Sequence, residues 1–254
     1  MKTRIVLLTL MGALALTSRA AIAPEAVLPA NTFAVATVPD MNAVRTAFKA
    51  SPMSRLWNDR VMGEFTGKFE DALDANVFEP LLLFFDFDLK DYTSLVQGQA
   101  TFALTRIPNE EIPGMIFLMD SGKEKAKALA TKLADLRELL LEQELLNDRL
   151  KIGGVDFMQI SPPDAGGPFE GVYLGQSGSL LIATTSKDLA GQIVALHQKK
   201  AKKSLATHEG FANRHQAQLK GALAYGWLDF AAVMEIAEEQ IEKNADPDNK
   251  PGPL

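Results

Sequence analysis

The chain has three histidines, 32 acidic side chains and no cysteine, and these limit the chemistry open to it. Without a thiol there is no zinc–thiolate site, no dithiol redox couple and no cysteine nucleophile. The histidines are His197, His208 and His215. Metal-binding helices place histidines four apart so that both rings meet one ion. His208 and His215 are seven apart, two turns distant on one face, with no carboxylate placed obviously between them. That spacing reads as ordinary surface histidine. Gly175-Gln176-Ser177-Gly178-Ser179 approaches the nucleophile elbow of serine hydrolases, but its second glycine comes one place early. An elbow also needs a strand before and a helix after. Here strand pattern lies on both sides, so the segment reads as a hairpin turn. Asp86 and Asp88 open like a calcium loop. The loop then needs an oxygen ligand, a glycine and a glutamate where this chain has Lys90, Asp91 and Gln97. Gly153-Gly154 and Gly166-Gly167 lack the strand-to-helix setting of a phosphate loop. The sequence therefore names no catalytic residue, no metal ligand and no cofactor-binding residue, and no cofactor is expected.

The N-terminus points to export. Lys2 and Arg4 precede an apolar run from Ile5 to Leu16, and small residues follow. Basic, apolar and small segments in this order form a secretory signal. The run is too short to span a bilayer, which takes about 20 apolar residues. Ser18-Arg19-Ala20 gives a cut before Ala21; Ala21-Ile22-Ala23 gives a second, poorer one, because Pro24 would follow it. No cysteine follows the run to carry a lipid, so a periplasmic or secreted protein is expected, with no stable membrane anchor after processing. Removing residues 1–20 takes away Lys2, Arg4 and Arg19, and formal charge moves from −6 to −9. An acidic chain repels nucleic-acid phosphates, so no nucleic-acid partner is expected. The basic run of Lys199, Lys200, Lys202 and Lys203 falls at an expected helix end, where the helix dipole favours cations.

Hydropathy and breakers place the elements. Phe33 to Val38 reads as a strand, followed by a helix from Met41 with Val44, Ala47 and Phe48 on its apolar face. Ser51-Pro52 breaks that helix. Helical pattern resumes near Asn58 with Val61, Met62, Phe65 and Phe69 aligned. Glu79-Pro80 leads into Leu81 to Phe87, whose Leu81 to Phe85 cluster reads as core rather than a partner surface. Gln99 to Arg106 alternates, and Gly114 to Met119 is continuously apolar, the pattern of a central strand; a hairpin joins them. Lys123 to Asn147 reads as the longest helix, buried along Ala126, Leu129, Leu133, Leu136 and Leu140. Gly153-Gly154 marks a hairpin between Leu150–Ile152 and Val155–Ile160. Pro162 to Pro168 reads as a loop. Gly171–Leu174 and Ser179–Thr185 flank a further hairpin. A helix from Asp188 to Leu196, one from Thr207 to Leu219, a strand from Ala222 to Leu228 and a helix from Phe230 to Lys243 follow. Asp246 to Leu254 is polar and proline-rich and reads as a disordered tail.

Four of the strands end at an aspartate before a helix: Asp40, Asp120, Asp188 and Asp229. A carboxylate there accepts orphan backbone N–H groups, worth about 0.5–2 kcal/mol. With hairpins between these units the expected fold is α+β: a single domain over 21–245, helices packed on one face of a largely antiparallel sheet. Residues 33–73 and 180–219 share their offsets. Each runs from strand to aspartate to helix, then to a leucine (Leu56, Leu205), a capping residue (Asn58, Thr207) and a large apolar side chain (Met62, Phe211). An internal strand–helix–helix repeat is the expectation these offsets raise.

Three segments carry a family resemblance. They are Leu28-Pro29 with Phe33 to Asp40 and Ser51 to Asp59; Phe87 to Tyr92 leading through Leu95 and Gly98 into a strand; and Ser179 to Thr185 with Ser204 to Phe211. Together they resemble a family of uncharacterised exported bacterial proteins, a domain of unknown function of the planctomycete and verrucomicrobial type. The resemblance covers most of 28–230 and implies an exported α+β protein. It brings no catalytic residues. Members are often longer, which leaves open that this chain is a fragment. Two functions compete. The first is a non-enzymatic exported protein that binds or scaffolds, for which an exposed apolar patch or open sheet edge would speak. The second is a hydrolase built from dispersed Asp and Glu residues, for which a pocket converging two carboxylates would speak.

Overall fold

The computed structural model describes residues 22–73, 75, 90–108, 110, 112–160, 171–213 and 215–244. A short helix α1 (Pro24–Val27) leads into β1 (Thr32–Val38), α2 (Met41–Ala50), α3 (Pro52–Trp57) and α4 (Gly63–Leu73). After α5 (Lys90–Thr93) come β2 (Ala100–Thr105), β3 (Gly114–Asp120), α6 (Gly122–Glu142), and the strands β4 (Leu146–Ile152), β5 (Val155–Ile160), β6 (Val172–Ser177) and β7 (Leu180–Thr184). Helix α7 (Lys187–His197), short helices α8 (Glu209–Ala212) and α9 (Gln216–Leu219), strand β8 (Tyr225–Leu228) and helix α10 (Phe230–Asn244) complete it.

The eight strands form one antiparallel sheet in the order β4-β5-β6-β7-β3-β2-β1-β8. The fold is α+β, as the hairpin signals indicate. The β4–β5 turn uses Gly153 and Gly154 at φ +59° and +86°, the left-handed pair that a two-residue hairpin requires. At the sheet centre β3 pairs with β7, with Leu118 opposite Ile182. Every residue of β7 is buried, and successive residues face different cores. Leu180 and Ile182 join Ile116, Leu118, Phe157 and α7's Leu189, Ile193 and Val194. Leu181 and Ala183 join Met115, Met119, Leu174 and α6's Leu129, Leu133 and Leu140.

Helices therefore cover both faces of the sheet, not one. The continuous apolar runs of β3 and β7 are the physical reason: a strand with one wet face alternates, and these do not. Residues 24–28, where the sequence offers no clear element, also belong to the core: Val27 and Leu28 are buried, and Leu205 N–H donates to Leu28 O at 2.9 Å.

Several boundaries differ from expectation; the last strand starts at Tyr225 rather than Ala222, and a helix over Pro52–Trp57 fills the expected break before Asn58. The long helix stops at Glu142 rather than Asn147. Glu144 takes φ +60°, and Leu146 enters β4, because the edge strand pairs with β5 across the Gly153-Gly154 turn. The expected helix over 207–219 splits into a 3₁₀ turn at Leu205–Thr207, α8 and α9. His208 is extended there, with ψ 125°. The aspartates also divide. Asp40 accepts from Ala43 N–H at 3.0 Å, Asp120 from Gly122 N–H at 2.9 Å, and Asp229 from Ala231 and Ala232 N–H at 3.1 and 3.3 Å. Asp188 does not cap: α7 begins one residue earlier, its N-cap is Ser186, and Asp188 sits exposed in the first turn. The expected signal segment through Ala20, Leu81–Phe87 with Asp86 and Asp88, the expected loop at Pro162–Pro168 and the expected tail over 246–254 lie outside the described residues.

Candidate functional site

At one end of the sheet several element ends meet. β1 stops at Val38, and Asp40 opens α2. The chain entering β2 is stitched to both neighbours. Gln97 and Gly98 N–H donate to Asp120 O, while Gln97 and Gly98 O accept from Asn42 and Met41 N–H. β3 ends at Asp120, and α6 starts two residues later. Ser121 donates through both its N–H and its hydroxyl to Ser179 O in the β6–β7 turn, each at 2.9 Å. Helix α7 arrives with its C-terminus, where Lys199 takes φ +60° and its N–H closes the helix on Leu196 O.

These ends enclose an open cleft of about 1020 Å³ whose lining includes Asp40, Asn42, Gln97, Asp120, Lys123, His197 and Lys199. Sequence spacing could not collect these residues, because they come from four separate stretches of chain. The one local signal was the recurrent strand-end aspartate: two of the four, Asp40 and Asp120, lie on this cleft. Both carboxylates accept backbone N–H groups at helix starts. Asp120 is held tightly as well. A Cβ on Gly98 would come within 2.5 Å of its Oδ2, so glycine at 98 is what lets the carboxylate lie against the β2 entry.

The hairpin serine does meet a histidine. Ser177 Oγ lies 2.9 Å from His197 Nδ1, a pairing invisible to the linear motif. Yet Ser177 is only 5 % exposed and closes a β-hairpin, so its hydroxyl is not presented to a substrate. His197 is half-buried rather than an ordinary surface residue. Burial pushes its pKa below the usual histidine value, and the nearby Asp120 charge opposes that shift. His208 is likewise half-buried and packs edge-on against Trp227, ring centroids 6.0 Å apart. The structure does not bring the three histidines together: among the described residues no group of three His, Asp or Glu side chains could hold a metal ion.

A second feature lies away from the cleft. Helices α2 and α3 and the 3₁₀ turn Arg60–Met62 contain no buried residue. Phe48, Met53, Leu56, Val61 and Phe65 are exposed, Val61 by 86 % and Phe65 by 56 %. Helix α10 does the same with Phe230 at 71 %, Met234 at 53 % and Ile241 at 69 %. Among the described residues no helix is long and apolar enough to cross a membrane. Comparisons with protein-family models, curated proteins and solved structures give no significant match, so the resemblance to the exported bacterial family rests on its three sequence segments alone.

Proposed function

We propose that this chain is an exported, non-enzymatic binding or scaffolding protein that engages protein through the apolar faces of α2–α4 and α10. The observation that carries this reading is the exposure of large apolar side chains along successive helical pieces, from Phe48 to Phe65 and from Phe230 to Ile241. Soluble chains scatter single apolar residues over their surface, whereas clustered ones mark contact sites. Export rests on the basic–apolar–small N-terminus. Both cleavage points leave α1 attached to the core. A photo-crosslinking residue at position 56 or 65 of the chain in its producing cell should give discrete protein adducts, and none at either position would count against the reading. N-terminal sequencing of the exported chain should begin at Ala21, or at Pro24, and a retained Met1 would remove the export half of the proposal.

One observation favours the competing hydrolase: Asp40, Asp120 and His197 share a single cleft. Against it, both carboxylates are engaged by helix N–H groups, and the one serine–histidine contact among the described residues uses a buried hairpin serine. A hydrolytic activity abolished by Asp120→Asn and by Asp40→Asn, with folding retained, would put the hydrolase in place of the binder.

A further inference from the structure

We infer that the cleft at the strand ends binds a short zwitterionic peptide of about four residues, extended across it with its ammonium at Asp40 and its carboxylate at Lys199. This goes beyond the binding reading above and makes no use of the apolar faces. The cleft crosses the ends of β1, β2, β3 and β7, which are consecutive in the sheet. Asp40 stands two residues past β1, and the N–H groups of Met41 and Asn42 hold the start of α2 on the β2 entry. Asp120 ends β3. Lys199 closes α7, whose end is fastened over the β6–β7 turn by the contact of His197 Nδ1 with Ser177 Oγ at 2.9 Å. The acid on one flank and the ammonium on the other are thus three strand intervals apart, about 14 Å at about 4.8 Å each. An extended chain advances about 3.3–3.6 Å per residue, so about four residues cover that span. The cleft's volume of about 1020 Å³ matches the upper end of ligand pockets, which occupy about 300–1,000 Å³.

Charge selects the class of ligand. The charged side chains on the lining are Asp40, Asp120, Lys123 and Lys199, two of each sign, and none makes an ion pair among the described residues. Each carboxylate uses Oδ1 to accept a backbone N–H at a helix start and leaves Oδ2 without a donor among the described residues. Neither lysine Nζ donates to a described group. His197, its pKa lowered by burial, is neutral at neutral pH and adds no charge. In the middle Asp120 and Lys123 both belong to the β3–α6 junction and offset each other. The flanks keep one sign each. A ligand of single charge would meet its own sign on one flank, whereas a molecule with an ammonium at one end and a carboxylate at the other meets its opposite at both. Between the flanks stands Gln97, whose side-chain amide has no hydrogen-bond partner among the described residues. An amide both donates and accepts, as a peptide bond does.

The test is equilibrium dialysis of the purified chain near neutral pH against tetraalanine, N-acetyl-tetraalanine, tetraalanine amide and dialanine, with the peptides quantified by mass spectrometry. Tetraalanine should bind one to one. Blocking either end should weaken binding about tenfold or more, the effect of losing one hydrogen-bonded charge. Dialanine, too short to reach both flanks, should bind no better than the blocked peptides. Two variants assign the ends. Asp40→Asn keeps a good helix cap and should weaken tetraalanine about tenfold while leaving N-acetyl-tetraalanine unchanged. Lys199→Asn, which tolerates the left-handed backbone there, should do the same to tetraalanine and leave tetraalanine amide unchanged. Both positions are exposed, and thermal melts check that each variant folds. No binding of tetraalanine up to millimolar concentration, equal affinity for free and blocked peptides, or dialanine bound as tightly as tetraalanine would each overturn the inference. So would variants that weaken free and blocked peptides alike, since neither charge would then be reading a peptide end. Shorter peptides appearing during dialysis would replace the binding site with the hydrolase. The crosslinking outcome at positions 56 and 65 bears on the apolar faces alone, so either reading can fail without the other.

Discussion

The chain runs strand, turn, helix, linker and further helical piece twice, over 32–73 and over 180–212. In the second run β7 lies at the sheet centre, and α7 buries Leu189, Ala190, Ile193, Val194 and Leu196. Leu205 and Phe211 beyond it are fully enclosed. In the first run β1 is next to the sheet edge, α2 and α3 bury nothing, and the matching residues Leu56 and Met62 lie exposed or half-exposed. The linear offsets are the same and the packing is opposite. Periodicity says that a helix has an apolar side; the neighbouring sheet decides whether that side is filled from within. Where it is not, the stripe remains for another molecule.

The largest expected effect sets one core phenylalanine against one surface phenylalanine. Phe211 packs edge-on against Trp227, centroids 5.4 Å apart. Phe211→Ala should cost about 3–5 kcal/mol, through lost transfer energy and the cavity left behind. Phe65→Ala in the first run removes an exposed ring, and its cost should stay within about 0.5 kcal/mol. Urea unfolding of both variants checks this. Equal losses would mean that the first run is packed like the second, and the surface proposed for association would vanish with the difference.

A smaller effect lies in the core beside the second region, on the strand that pairs with β7. Gly175 of β6 sits under Phe157, where a Cβ would come within 2.7 Å of the ring. Gly175→Ala should destabilise by about 1–3 kcal/mol, the usual range for overpacking a filled core. A Cβ on Gly67 of α4 would meet nothing within 4 Å. Gly67→Ala should be neutral or stabilise, since alanine is the better helix former by about 1 kcal/mol. Opposite signs for the two substitutions would sharpen the contrast; a destabilising Gly67→Ala would blur it.

The aspartates separate the regions in the reverse sense. Asp40→Ala should cost about 1 kcal/mol, because Asp40 holds Ala43 N–H. Asp188→Ala should cost only tenths of a kcal/mol, since its carboxylate makes only a first-turn dipole interaction. Chemical denaturation midpoints decide it, and a full kcal/mol at Asp188 would restore the capping role that its sequence position suggests.

The α+β class, the hairpins at Gly153-Gly154 and Gly178 and the starts of α2, α6, α7 and α10 to within a residue were legible because each depends on local chemistry: glycine at positive φ, an acid at a helix start, an apolar period. Which face a helix covers was not legible, because it depends on sheet order. The runs of β3 and β7, apolar at every position, did hold the clue that both faces are dry. The cleft was less legible still. His197 reads as a surface histidine until the β6–β7 hairpin and the α7 C-terminus are brought together, and Ser177 reads as a turn residue until His197 is found beside it. Asp120 could be recognised as a helix-start acid but not as a wall shared with Asp40.

The smallest effect concerns that histidine, a half-buried group at the end of the buried helix, where α2 ends instead on the exposed Lys49. Two influences oppose each other at His197. Burial disfavours the imidazolium, and Asp120 favours it, with burial the larger. The α7 C-terminus, whose dipole also welcomes a cation, does not reverse the order. The native pKa therefore lies below the ordinary value of 6.5. As pH falls below about 6.5 the unfolded chain takes up a proton at this residue before the native chain does, and stability falls wherever the unfolded state binds more protons. The loss ends once pH passes below the lowered native value and both states are protonated. Above 6.5 neither state is protonated, and the contribution is fully present. His197→Gln keeps a hydrogen-bonding group beside Ser177 Oγ and cannot titrate. Subtracting its unfolding free energy from that of the wild type across about pH 4.5–8 removes the carboxylate contributions common to both. The difference should be flat above pH 6.5 and decline below it. A difference that instead grows as pH falls would show that Asp120 outweighs burial and holds the ring charged, which would make the cleft a paired acid–imidazolium site and give the hydrolase reading the poised group it lacks.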